Sequence, residues 1–207
     1  CHVMPHDLTA PDGVSALVDE LAQAGARPDV LVNNAGLGLI GHHIHNAWAD
    51  EQRMIDLNIT ALTALTHALL PAMKAKGAGR ILNVASTAAF QPGPGMAVYF
   101  ASKAYVLSYS EALHHELQPL GISVTALCPG PTESEFVQVA SKKHHISLAD
   151  RIPFASAAGG AAQAVDAMMR GQAIIVPGLV NKLGVWSTRF TPRWLLRHIV
   201  ALAFKPV

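Results

Sequence analysis

With 207 residues, 51% of them apolar, the chain can bury one well-packed core and is short for two. A formal charge of +1 without any Lys/Arg-rich patch gives no basis for a nucleic-acid partner and fits a small neutral ligand. Cys1 and Cys128 are the only cysteines, no apolar run reaches the roughly eighteen residues of a membrane span, and the first residues lack the order of a signal peptide, so the expectation is a reduced, soluble, cytoplasmic protein.

In chain order, a helix is predicted over Pro11 to Ala24, stopped by Gly25, and the apolar run Asp29 to Val32 is the first clear strand. The turn Asn33-Asn34-Ala35-Gly36 follows, then a long helix over Ala49 to Ala75 that ends at Gly77. A strand over Arg80 to Ala85 leads to Ser86, and a helix over Tyr99 to Gln118 is stopped by Pro119 and Gly121. The strand Ser123 to Cys128 runs into Pro129-Gly130, and residues 141–152 are polar enough for a surface excursion. A helix over Ala157 to Arg170, a strand over Ala173 to Val176 and a tail helix started by Thr191-Pro192 complete the chain. Continuous apolar strands alternating with helices predict an α/β fold with a doubly wound parallel sheet covered on both faces, in one domain. Ligands of such sheets sit beyond the carboxyl ends of the strands, where the Asn-Asn-Ala-Gly turn, Ser86 and Pro129-Gly130 would rim one cleft.

Tyr99 and Lys103 stand four apart in a helical segment, so they share a face and can act on one ligand. That spacing alone is common in amphipathic helices. Its weight comes from order: the Asn-Asn-Ala-Gly turn, Asn58 in a mostly apolar helix, Ser86 at a strand end thirteen residues before Tyr99, then Pro129-Gly130. In these motifs and their spacings the chain resembles the short-chain dehydrogenase/reductase family over nearly its whole length.

The resemblance implies a Rossmann-like sheet and an oxidoreductase that moves hydride between NAD or NADP and a carbonyl or alcohol, with NADP favoured by the likeness to reductases. It makes Tyr99 the proton donor, Ser86 the substrate hydrogen bond, Lys103 a ligand of the nicotinamide ribose and Asn58 the anchor of a proton-relay water. The Lys103 ammonium and the oxidised nicotinamide are together expected to lower the Tyr99 pKa. The same likeness sets Asp7 and Leu8 at the adenine, Asn34, Ala35 and Gly36 along its ribose, and Pro129, Gly130, Thr132 and Ser134 around the carboxamide and diphosphate. Ser134 keeps the hydroxyl of the family's usual threonine. A homodimer or homotetramer, paired through the helices of Asn58 and Tyr99, is also implied.

His42, His43 and His45 lack metal-ligand spacing and are read as pocket lining rather than a metal site; His114 and His115 are read as solvated or at a subunit contact. In the tail, Arg193 and Arg197 form a basic stripe opposite Leu195, Ile199 and Leu202, the pattern of a peripheral membrane contact, a lid, or a helix docked on its own domain. The family's glycine-rich phosphate turn should lie about fifty residues before Asp7, so the expectation is an N-terminally truncated form of a longer chain. In the family's sheet order, 3-2-1-4-5-6-7, residues 2–6 would be a strand without a neighbour, and Asp29 to Val32 would expose an apolar edge. The alternative to an enzyme is a non-catalytic binding or assembly module on the same fold; the intact Asn58, Ser86, Tyr99 and Lys103 favour the enzyme, the absent phosphate turn the module.

Overall fold

A computed structural model describes residues 1–132 and 155–203. Four short strands, β1 (Val30–Asn33), β2 (Gly79–Val84), β3 (Ile122–Leu127) and β4 (Ile174–Ile175), form one parallel sheet in the order β1-β2-β3-β4. Parallel neighbours need a crossover, and helices supply each one: α2 (Trp48–Ile55) and α3 (Leu62–Lys76) from β1 to β2, α4 (Ala97–Leu117) from β2 to β3, and α5 (Ala157–Met169) before β4. Before them runs α1 (Gly13–Gln23); after them come α6 (Leu179–Thr188) and α7 (Arg193–Ala203).

The strands read as apolar runs because β2 and β3 are covered on both faces, whereas β1 is covered on one. On one face Leu31, Ile81, Ile122 and Val124 pack with Leu65, Leu69 and Met73 of α3 and Leu113 and Leu117 of α4, while Val14, Leu17 and Leu21 of α1 lie against that core. On the other, Leu82 and Leu127 meet Ala164 and Met168 of α5. Ile81 and Val124 are fully buried, and each such side chain stabilises the fold by about 1.5–3 kcal/mol. Val30 and Val32 of β1 are 40% and 50% exposed, the apolar edge anticipated above, and residues 2–6 form no strand.

Two boundaries differ from expectation with a physical reason. The helix that carries Asn58 is not uniform: between α2 and α3 the chain widens into a π-helical stretch, Asp56–Ala61, a local device that periodicity does not reveal. Helix α4 begins at Ala97, two residues earlier than expected, so Tyr99 lies inside its first turn. The glycine stops hold: Gly77 caps α3 at φ 68°, and Gly121 ends the turn after α4 at φ 74° with Gly77 O where a Cβ would stand, 2.1 Å away.

Beneath the strand ends lies a buried polar chain that hydrophobic patterning cannot show. Asn33 Nδ2 donates to Asn83 Oδ1 at 2.8 Å and to Thr66 Oγ1 at 3.0 Å, and Asn83 Nδ2 donates to Ser110 Oγ at 2.9 Å. These bonds tie β1 to β2, α3 and α4 immediately before the Asn34 turn and Val84. Replacing Asn83 strands donors and acceptors in a dry interior. Asn83→Ala is therefore expected to cost about 2 kcal/mol, read as a lower urea midpoint with an unchanged slope; an unaltered midpoint would show the network to be dispensable.

Candidate active site

The first turns of α4 put Tyr99 and Lys103 on one face, one helical turn apart. Lys103 is buried, and its Nζ donates to Val84 O at 2.8 Å, joining α4 to the end of β2. The same nitrogen lies 5.9 Å from the Tyr99 ring centre. Burial disfavours its charge and lowers Lys103 from 10.5 to about 8. Tyr99 is half-buried and hydrogen-bonded to Ser86; burial pushes its hydroxyl above the ordinary value and the Ser86 bond offsets part of that rise. The lowering expected from Lys103 is absent in the protein alone, because desolvation dominates and the ammonium lies over the ring.

Ser86, two residues beyond β2, is in extended conformation and caps the short turn Thr87–Phe90 by accepting from Ala88 N at 3.1 Å. Thr87 N donates to Pro129 O at 2.9 Å, which joins the turns after β2 and β3 and brings Ser86 beside Pro129. Asn58 is fully buried, and its amide forms a reciprocal pair with Leu37, accepting from the backbone N at 2.8 Å and donating to the backbone O at 2.9 Å. It also donates to Ser102 Oγ at 2.9 Å, and Ser102 donates to Tyr99 O at 2.7 Å. The Asn58 side chain is thus committed to fixing the loop after β1 against α4. A Cβ on Gly36 would stand 3.4 Å from both Asn58 Oδ1 and Lys103 Nζ, so this glycine backbone lies directly over the pair.

The residues assigned to the dinucleotide fall in two places. Leu8, Asn34 and Ala35 line a shallow cleft with Val32, Leu57 and Leu65 at the open end of β1. Asp7 is exposed; its carboxylate accepts from the Thr9 N–H at 2.9 Å and the Thr9 hydroxyl at 2.7 Å, bonds that hold its pKa below the ordinary value. Gly36 extends this group to Lys103. Pro129, Gly130 and Thr132 lie across from it after β3, with Thr132 Oγ1 donating to Gly130 O at 2.9 Å; Ser134 and residues 141–152 lie outside the described residues. A Cβ on Gly130 would meet Asn181 Oδ1 at 2.4 Å, so here the close approach made by glycine is to α6. Asn181, held by its Nδ2 donating to Pro177 O at 2.8 Å, carried no signal in the sequence.

Beside Tyr99 the wall is apolar: Ile40, Ala88, Met96 and Phe100 cluster with Val200 of α7. The tail helix therefore docks on its own domain by the side carrying Leu196 and Val200, next to the site. His43 Nδ1 pairs with the buried Glu51 at 2.7 Å, a carboxylate that the linear spacing does not reveal, and among the described residues no three His, Cys, Asp or Glu converge as metal ligands. The reading of His114 needs correction: its Nδ1 lies 2.7 Å from Val124 O, so it bonds to the sheet rather than standing in solvent.

The lowered Lys103 value fixes a pH signature. Below about 8 both folded and unfolded chains hold this proton, and folding bears the whole cost of burying the charge. Between about 8 and 10.5 only the unfolded chain holds it, so the lysine's contribution to stability rises with pH, by about 3 kcal/mol in total. Cys128, pushed up to about 12 from 9.0 by burial, acts oppositely above pH 9. The difference in unfolding free energy between the wild-type protein and Lys103→Met isolates the lysine: it should climb across that window, and a flat difference would mean an ordinary lysine.

The short chain dehydrogenase family profile matches residues 1–145. Among curated proteins, the chain is 41% identical to sulfoacetaldehyde reductase 2 of Chromohalobacter salexigens over 140 residues, which is 67% of this chain and 56% of that protein. It is 35% identical to a ketoacyl reductase of Nostoc over 127 residues, 61% of this chain and 44% of that one. The chain spans about half the length of the curated relatives it matches. Among solved structures, a short-chain dehydrogenase of Sphingobium yanoikuyae in complex with NADPH superposes with a TM-score of 0.77 at 30% identity, covering 89% of this chain and 71% of that one. The sheet is accordingly Rossmann-like, and the chain belongs to the short chain dehydrogenase family.

Proposed function

We propose that the protein is an NAD(P)-dependent oxidoreductase that interconverts a carbonyl and an alcohol, with Tyr99 as the proton donor. The observation that carries this reading is the convergence of Tyr99 with the buried Lys103, whose Nζ lies 5.9 Å from the ring centre and donates to Val84 O, and with Ser86 beside Pro129. A carbonyl gaining hydride develops negative charge on oxygen and needs donors aimed at that point. Ser86 orients the oxygen, and Tyr99, whose raised pKa keeps its proton at neutral pH, delivers it. Lys103, titrating near neutral pH, is suited to resupplying that proton, while Asn58 and Ser102 hold the backbone that aims the tyrosine.

The cofactor's residues fit its shape: Leu8, Asn34 and Ala35 offer an apolar and amide-lined cleft, and Gly36 connects it to Lys103. Asp7, Pro129, Gly130, Thr132 and Ser134 complete the proposed set. When bound, the nicotinamide supplies or accepts the hydride. NADP is favoured over NAD on the likeness to reductases; solved relatives are described with NADPH or with NADH. The apolar wall of Ile40, Met96, Phe100 and Val200 favours a substrate with apolar flanks. We further propose a cytoplasmic homodimer or homotetramer that pairs through the outer faces of α3 and α4.

Tyr99→Phe in the full-length protein keeps the ring and removes the proton. Turnover should fall by about a hundredfold or more while cofactor titration stays within about twofold of wild type. Near-normal turnover would remove Tyr99 from the mechanism, whereas dinucleotide binding without turnover in the wild-type protein would return the binding-module reading.

A further inference from the structure

Helices α6 and α7 expose their apolar residues instead of hiding them. On α6 and the turn that follows it, Leu179, Leu183, Trp186 and Phe190 recur at helical spacing, and with Val180 they are between 58% and 83% exposed. Trp186 and Phe190 pack with their rings tilted by 56° and centres 4.7 Å apart, as one aromatic ridge. On α7, Leu196 and Val200 face the domain, whereas Trp194, Ile199 and Leu202 are between 52% and 64% exposed and Leu195 37%. Two successive helices with an apolar outer stripe are unusual on a surface facing only water.

Charge distinguishes the occupant. Residues 167–207 contain six Lys/Arg and no Asp or Glu, whereas all fourteen acids lie in the first 166 residues beside nine Lys/Arg. Lys182 and Arg189 flank the α6 stripe, and Arg193 and Arg197 flank that of α7, all exposed. A second copy of the chain would bring cation against cation at a shared two-fold contact. Cations whose aliphatic stems border an apolar, Trp-bearing ridge are the arrangement that seats a helix at the headgroup level of an anionic bilayer. No helix among the described residues is long and apolar enough to cross a membrane, so the contact would lie in the interface.

We propose that α6 and α7 form a peripheral docking surface for a bilayer of anionic phospholipid. Because the inner side of α7 packs beside Tyr99 through Val200, docking brings the apolar wall of the site close to the lipid surface.

The test is flotation of the full-length protein with vesicles of phosphatidylcholine alone or mixed with phosphatidylglycerol. The protein should float with the anionic vesicles, do so much less with the neutral ones, and be released when salt rises from about 0.1 M to about 1 M. Leu183→Ser with Leu202→Ser, and separately Arg193→Gln with Arg197→Gln, should each lower partitioning by about tenfold or more without changing the thermal melt. In a Trp48→Phe background, Trp186 and Trp194 emission should shift to the blue on anionic vesicles. Failure to float with either vesicle overturns the proposal. So does a dimer, seen by light scattering, that Leu183→Asp and Leu202→Asp dissociate, because a second copy then covers the stripes.

Discussion

The ammonium of Lys103 has to be buried next to a tyrosine, and much of the surrounding structure can be read as the means of doing so. A charge taken out of water needs compensating acceptors. Val84 O provides one at 2.8 Å, which requires the end of β2 to be held against α4. The Asn33–Asn83–Ser110 chain holds that end from below, and the pairing of Asn58 with Leu37 and Ser102 holds the loop after β1 from the side. The residual penalty appears as a lysine poised near 8, the range in which proton transfer at neutral pH is efficient.

The two halves of the polar cluster serve different ends. Tyr99 and Ser86 face the apolar wall of Ile40, Met96 and Val200, where burial keeps the phenol protonated. Asn58 and Ser102 are committed to the scaffold, so an exchange at either would act through the placement of Tyr99 rather than by contact with a substrate. The carboxyl ends of β1, β2 and β3 lie side by side because the sheet is parallel and sequential, with register Asn33 to Asn83 to Ala126, and α4 and the π-helical stretch bring Tyr99, Ser102 and Asn58 to that edge beside Ser86.

Much of this was legible in the residues themselves. Continuous apolar strands between amphipathic helices announced a sheet covered on both faces, and Gly77 and Gly121 marked helix stops at positive φ. Tyr99, Lys103, Ser86 and the Asn-Asn-Ala-Gly turn could be named because their order and spacing resemble the family's motifs; strand ends and a shared helix face show only that they could meet at one cleft. What the sequence concealed depends on contacts between distant segments: the π-helical widening at Asn58, Glu51 reaching back to His43, His114 bonding to Val124, and Asn181 filling the space over Gly130. In the protein alone the Tyr99 pKa is raised, since burial outweighs an ammonium placed over the ring.

In the proposed reaction Tyr99 and Ser86 direct a proton to a carbonyl oxygen while the bound nicotinamide gives hydride to its carbon. The direct measurement is isotope transfer by the full-length protein: dinucleotide deuterated at the nicotinamide C4, a panel of apolar ketones and aldehydes, and mass spectrometry of the alcohols formed. One deuterium is expected on the carbinol carbon of the product, with the yield lowered by about a hundredfold or more in Tyr99→Phe. Tight dinucleotide binding with no deuterated alcohol from any carbonyl would contradict that reaction.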